Sequence, residues 1–586
     1  MTNPAPATAA RAVAAGGTDP YAAGDPPPPY EGPRPLHDAF EAAARRHPQA
    51  HALTGYDGEP VSYQALLAGV DAAARRLAPL GRPDVLGLAV DDPATFLACY
   101  LAAARLGLVA VLLDSRLSDE QLARNAERFD VSWLAVGRDR PGAEGAAHED
   151  EDGHEDGDGR GDGHGDGREA AEGVAEGVAG EGQDEDRPSA GFVLRPLPGR
   201  DARRARAAEG YRPGDFVVHC TSGSTGEPKG IVMSQSAIAA RVRLWGGDLR
   251  LTSSDVVLCA LPLDHCHGID VLTLPALTAG ATVVFARGDR LTGRGMARRI
   301  LRHGVTVVSG LPVMYQMLTD AQAVPDGSLA SLRTVISGSA PLPVATQRRF
   351  TERFGIPLRQ VYGLSEIGVI CFDRDYLGGG SIGLPVSGVQ WRLEEFADDT
   401  DGYGHGGVPG DGGGDGSGDD GEDGERLHEL YVRGPALARG YYRDPAATAV
   451  MFQDGWLRTH DVLRADPDGW YVRGRLSGFV NVSGSKVSPL EVEAALRECP
   501  GVRDSAVAGV PGEDGSERVA ALLVPGPGFD LAAVRRTLGA RLLPPQLPQR
   551  YRTAGALPRT ALGKTDYAAV RAILRDAAEE GARDAR

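Results

Sequence analysis

Apolar positions from Leu36 onward fall into two alternating patterns: amphipathic stretches of helical period, and short apolar runs of strand length. Leu36 to His47 predicts an opening helix. Ser62 can cap the next one, in which Leu66, Val70, Ala73 and Leu77 recur at helical spacing. Val85 to Val90 predicts a strand, Phe96 to Leu106 a helix, and Leu108 to Leu113 a strand again. The pattern resumes at Asp215 with a β-branched run, Phe216 to His219, and the start of a helix over Ser234 to Arg241. Val256 to Leu261, Ala281 to Ala286, Val305 to Ser309 and Thr334 to Ser337 read as buried strands. Strand–helix alternation of this kind predicts an α/β fold with a mostly parallel sheet. After Arg475 the style changes. A helix over Pro489 to Arg497, strands over Ser505 to Val510 and Val519 to Val524, and a helix from Leu531 outline a small α+β domain of roughly 110 residues.

Three segments break the alternation. Residues 1–35 are rich in Ala and Pro, carry only Arg11 and Arg34 as bases and lack a compact apolar region, which predicts a disordered tail rather than a signal peptide. Residues 142–187 and 397–424 are Gly/Asp/Glu-rich and read as disordered acidic inserts. The glycine and Asp/Gly repeats of the first match dinucleotide and calcium patterns in places, without the strand or helix context those sites need. Charge changes the picture here. Glu144 to Asp186 holds 17 acidic residues against Arg160 and Arg168, and Asp398 to Glu425 holds 10 with no Lys or Arg. Without them the net charge of −18 becomes +7. The remaining body is mildly basic, which suits polyanionic ligands. Six cysteines without CxxC spacing (Cys99, Cys220, Cys259, Cys266, Cys371 and Cys499) point to reduced thiols in a cytoplasmic protein. No run approaches 18 apolar residues, so no membrane span is expected, and no motif points to nucleic acid.

The densest chemistry lies between Asp215 and Ile238, DFVVHCTSGSTGEPKGIVMSQSAI. Thr221, Ser222, Gly223, Ser224, Thr225 and Gly226 carry hydroxyls or no side chain. Such a turn can aim several N–H groups and hydroxyls at one phosphate chain, and Lys229 adds a cation. The pattern G-x-x-x-x-G-K-[ST] is not met, which excludes a P-loop. The stretch resembles the phosphate-binding signature of the acyl-adenylate-forming (AMP-binding) superfamily, which includes acyl-CoA synthetases, peptide-synthetase adenylation domains and luciferases.

Further motifs extend the resemblance from about Leu36 to Val570. LPLDHCHGID (261–270) resembles an acyl-pocket motif with His265 at the pocket position, and Asp264 stands where an aromatic is usual. Read as extended chain, His265 and His267 would share a face. A metal there would need a third ligand of known direction. In amino-acid adenylation domains an Asp usually occupies the place of His265, so the resemblance disfavours an ordinary α-amino acid. SGSAPLP (337–343) resembles the adenine-contacting turn, with Gly338, Ser339 and Ala340. QVYGLSE (360–366) resembles Y-G-x-T-E and implies Tyr362 and Gly363 at adenine, Ser365 at phosphate and Glu366 on Mg²⁺. GWLRTHDV (455–462) implies Asp461 at the ribose hydroxyls, with His460 in place of the usual Gly. GRLSG (474–478) implies Arg475 at ribose or phosphate and a hinge at 475–477, where Ser477 replaces the usual Asp or Lys. LPRTALGKTD (557–566) implies Lys564 as the mobile lysine bridging the acyl carboxylate and the α-phosphate.

The resemblance implies a large N-terminal domain (36–474) of α/β subdomains plus a β-rich part, and a small mobile α+β C-terminal domain (478–586). It implies Lys564, Glu366 and Thr221 as catalytic residues, Glu366 and Thr225 at the metal, and His265, Gly310 and Leu364 in the acid pocket. It implies ATP, Mg²⁺, a carboxylic acid substrate and a thiol acceptor. Coenzyme A ranks first as acceptor, and phosphopantetheine on a separate carrier protein second, since no carrier segment follows in the sequence. Transfer to a non-thiol nucleophile and a non-catalytic nucleotide-binding relative are the other readings. Retention of Lys229, Glu366, Asp461, Arg475 and Lys564 together argues against the last of these.

Deleting residues 142–187 is expected to leave pyrophosphate release within a few-fold of the full chain, because solvated loops contribute little to a core and their length costs little entropy. Loss of soluble protein on deletion would contradict that reading.

Overall fold

A computed structural model describes residues 36–140, 191–222, 228–288, 291–395, 426–482, 485–512, 517–542, 544–560 and 563–583. The N-terminal tail, both acidic inserts and Gly223–Gly226 lie outside these residues, and so do the side chains of Thr221, Ser222 and Ser477.

Two sheets with parallel centres and antiparallel edges form the large domain. In the nine-stranded sheet, Leu358–Leu364, Thr334–Ser337, Val307–Gly310, Val256–Cys259, Thr282–Phe285 and His51–Thr54 run parallel in that spatial order. In the seven-stranded sheet the parallel centre is Asp215–Ser222, Val109–Leu112, Val85–Ala89 and Trp133–Gly137. The helix Pro93–Leu106 is apolar on all sides and buries ten of its fourteen residues, the signature of a helix enclosed by other layers. Ser62 caps Tyr63–Leu77 as its position predicts, accepting from the N–H of Ala65. That helix's first residue, Tyr63, donates from its hydroxyl to the carbonyls of Leu277 and Ala281, tying the helix to the nine-stranded sheet's face.

A third, antiparallel sheet carries His428–Arg433, Trp456–Ala465 and Trp470–Arg475, and it is the β-rich part the resemblance implies. The C-terminal domain has its own cores on a three-stranded sheet, Val502–Pro511, Glu517–Pro525 and Arg550–Thr553. Val507, Val519 and Leu523 pack on one face and Ala508, Val524 and Leu574 on the other.

The helix expected over Ser234 to Arg241 is present as Gln235–Asp248, capped by Ser234, but a strand that the motif did not signal precedes it. Pro228–Ser234 is a second strand, antiparallel to Asp215–Ser222, with Thr221 opposite Lys229. The motif around His265 is not extended. A turn leads into a π-helix over His267–Thr273, so the two histidines do not alternate along a strand. Gly268 is required there, because a Cβ would lie 2.1 Å from the carbonyl oxygen of Pro262. All six cysteines are free thiols, and no described helix is long and apolar enough to cross a membrane.

Candidate active site

The carboxyl ends of the parallel strands in the nine-stranded sheet converge, as open α/β sheets require of their binding crevices. Gly310 ends one strand and accepts from the N–H of Gly338 (2.9 Å), which begins the 338–340 turn. Ser339 takes a left-handed backbone (φ +62°), turning its hydroxyl toward His267. Tyr362, Gly363 and Leu364 end the strand Leu358–Leu364. Gly363 admits no side chain, since a Cβ would lie 2.2 Å from the carbonyl oxygen of Gly368.

Three groups of polar side chains face this crevice. In the first, Tyr362 donates its hydroxyl to Asp461 Oδ2 (2.5 Å), and Arg475 Nε stands 3.1 Å from Asp461 Oδ1. Asp461 and Arg475 are direct partners across adjacent strands. Burial pushes the Asp461 carboxyl up, against the pull of Arg475 and the Tyr362 hydroxyl. The Asp461 charge in turn raises Arg475 further. His460 adopts φ +57°, so the backbone bend usually made by glycine survives here in a non-glycine residue.

In the second group, Tyr441 donates to Glu366 Oε1 (2.6 Å), and the Lys229 ammonium lies 5.3 Å from the Tyr441 ring centroid. Tyr441 is not among the residues that the sequence motifs point to; its hydroxyl orients the carboxylate. Mg²⁺ takes one or two protein carboxylates and completes its shell with water and substrate phosphate oxygens, and Glu366 beside the strand of Lys229 fits that donor set. Thr225, the other expected metal contact, and Ser224 lie outside the described residues. Among those residues no cluster of three or more His, Cys, Asp or Glu could hold a metal ion on protein ligands alone.

In the third group, His267 pairs through Nδ1 with Ser339 Oγ (2.7 Å) and through Nε2 with Ser309 Oγ (2.8 Å). His265 Nδ1 accepts from the N–H of His267 (3.3 Å). Burial, and then the charge of Lys564, push both imidazoles down to about 3, so both are neutral. Lys564 comes from the C-terminal domain and is itself lowered, chiefly by burial and further by Arg475. The lysine therefore stands in the large domain's crevice. Beside it, Gly563 packs near Leu311 and Val313, and its φ of +75° suits glycine.

Beneath these groups lies a charge cluster the sequence reading missed. Asp270, fully buried on the π-helix, stands 2.7 Å from Arg241 and 3.0 Å from His219. Arg241 also donates to the carbonyls of Ser365 (3.0 Å) and Ala436 (3.4 Å). Burial raises Asp270, but His219 and Arg241 outweigh it and hold the carboxyl below its ordinary value.

The profile of the AMP-binding enzymes matches residues 40–442, and that of the AMP-binding enzyme C-terminal domain matches 491–564. The chain is 31% identical over 389 residues to a probable CoA ligase, CCL8, of Humulus lupulus, covering 60% of each protein. It is 32% identical over 374 residues to the indoleacetate–CoA ligase of Aromatoleum aromaticum, covering 61% of this chain and 67% of that enzyme. The matched part thus spans about three fifths to two thirds of these relatives' length. In fold it is similar to ATP-bound MatB from Rhodopseudomonas palustris, with a TM-score of 0.69, 22% identity, and coverage of 93% of this chain and 99% of that one.

Arg241→Met should cost the large domain about 3–5 kcal/mol, because Asp270 would keep a buried charge after losing its best partner. Denaturant unfolding followed by tryptophan fluorescence measures this, and a loss under about 1 kcal/mol would contradict the cluster's role.

Proposed function

This chain belongs to the AMP-binding enzyme family, and we propose that it is an AMP-forming acid–thiol ligase, with coenzyme A as the thiol acceptor. The observation that carries the proposal is Lys564, buried beside His265 and His267 and electrostatically coupled to Arg475, which pairs with Asp461. That arrangement serves the first half-reaction. A carboxylate oxygen attacks the α-phosphorus of ATP, the bond to the bridging oxygen breaks, and pyrophosphate departs with that electron pair. Both reactants are anions, so a cation between them offsets repulsion and holds them in line. Lys564 supplies it. Two neutral imidazoles next to the lysine leave its charge undivided, where a charged histidine would compete for the same carboxylate.

Tyr362 offers an aromatic face to adenine, and Asp461 offers its carboxylate to the ribose hydroxyls, taking over from the Tyr362 and Arg475 contacts it makes here. Lys229 and the Ser/Gly run bind the phosphate chain. Glu366, oriented by Tyr441, would hold Mg²⁺, which when bound neutralises phosphate charge. The thiol step follows when the C-terminal domain turns about the short 3₁₀ segment Leu476–Gly478 and withdraws Lys564. The names of the relatives, both CoA ligases, favour coenzyme A. A phosphopantetheinylated carrier protein assayed in its place separates the two acceptors.

Lys564→Ala should slow acid-dependent pyrophosphate release by on the order of 10²-fold or more. Thioester formation from preformed acyl-adenylate should survive. Equal loss in both half-reactions would contradict the assignment.

The pH dependence carries a sign. Burial lowers the Lys564 ammonium, so its charge is lost at a lower pH than that of a free lysine. Adenylation should therefore fall on the alkaline side below the ordinary lysine range, and the thioester step should lack that limb. A limb shared by both steps would contradict the role given to Lys564.

A further inference from the structure

Beside the Lys564 loop lies a cavity of about 270 Å³, walled by Gly563 and Thr560 on one side and by Leu261–Asp264 on the other. A cavity of about 150 Å³ holds a benzene ring, so this one has room for a ring, or an equivalent chain, with a short substituent. Much of the wall is apolar, with Leu113, Leu291, Leu311, Met314 and Met317. Five charged side chains interrupt it, and four of them cancel. Arg287 pairs with Asp91 (2.5 Å) and lies over the Tyr56 ring. Arg116 holds Asp114 through two parallel bonds, 2.9 and 2.8 Å. The fifth is Asp264.

Among the described residues no side chain pairs with Asp264. The opposing charges that act on it, Arg116 and His219, are already engaged by Asp114 and Asp270. Burial, then the Asp114 charge, push its carboxyl up to about 6, which still leaves it ionised at neutral pH. Its own backbone N–H supports the carboxylate, but a charge without a cationic partner in an apolar wall costs stability unless a ligand completes it. It also adjoins His265 in sequence, and so lies within reach of an acid whose carboxylate meets Lys564.

We propose that the cavity receives the distal end of an acid substrate bearing a protonated amine, with Asp264 as its counter-ion. The inference rests on the adenylate-forming reading for its placement of the acid's carboxylate at Lys564. A neutral hydrogen-bond donor in place of the amine would leave the Asp264 charge unbalanced, so the cavity selects a cation and rejects an apolar twin of the same shape.

The test pairs amine-bearing acids with neutral isosteres: 4-(aminomethyl)benzoate with 4-ethylbenzoate, 5-aminopentanoate with hexanoate, and 6-aminohexanoate with heptanoate. Pyrophosphate release gives kcat/KM for each with the full-length protein. Calorimetry with a non-hydrolysable ATP analogue present gives binding without turnover. At least one amine-bearing acid should exceed its twin by about tenfold or more in both measurements. Asp264→Asn should remove that preference, and Asp264→Leu should reverse it. If no amine-bearing acid binds better than its twin, or if Asp264→Asn leaves the ratio unchanged, the inference is overturned. Amine-selective binding that depends on Asp264, without pyrophosphate release from any acid, would sustain the cavity's role while removing the adenylation reading.

Discussion

A carboxylate with no exposure to solvent, Asp270, fixes how the pieces of the site meet. Burying such a charge is costly unless good partners surround it, and here the partners come from separate elements. His219 belongs to the strand that leads into the Ser/Gly run, Arg241 to the helix after the strand pair, and Asp270 to the π-helix that begins at His267. Through Arg241 the cluster also reaches the carbonyl of Ser365, next to Glu366. Shifting any one of these elements would strand a charge in the core. The strand pair Asp215–Ser222 and Pro228–Ser234, the π-helix that begins at His267 and the segment next to Glu366 are therefore tied to one another, and Lys564 comes from the C-terminal domain.

Electrostatics divides the crevice accordingly. One end holds paired charges, Asp461 with Arg475, and a carboxylate oriented by a tyrosine, Glu366 with Tyr441. The other end holds two neutral imidazoles, His267 fixed by the hydroxyls of Ser339 and Ser309 and His265 by the N–H of His267, beside which Lys564 brings a positive charge. Burial disfavours the bare ammonium of Lys564, so an anion sharing its environment would stabilise the charge there.

Much of this was legible in the sequence because it is local. The Ser62 cap, the helical spacing of Leu66 to Leu77 and the apolar runs such as Val307–Gly310 and Thr334–Ser337 need only neighbours in the chain and lie within about two residues of their expected places, whereas the parallel strands His51–Thr54, Trp133–Gly137 and Leu358–Leu364 carry no such signal. What escaped depends on distance or on competition. Pro228 and Lys229 open the second strand of the pair with residues that read as loop, hiding the apolar Ile231–Met233 behind them. The turn and π-helix around His265 follow from close packing of Gly268 on Pro262, which no periodicity encodes. Tyr441 and Glu366 lie 75 residues apart, and Arg241 and Ser365 lie 124 apart, so their partnership emerges only once the sheets are stacked. His460 marks a subtler case: the motif lost its glycine, yet the backbone kept the left-handed bend.

The proposed reaction has a fixed order, adenylate first and thiol second. Acid-dependent exchange of labelled pyrophosphate into ATP, measured with no thiol present, tests that order most directly. Exchange that requires an acid and proceeds without coenzyme A is the predicted result. Formation of ADP in place of AMP, or exchange that appears only when a thiol is added, would contradict it.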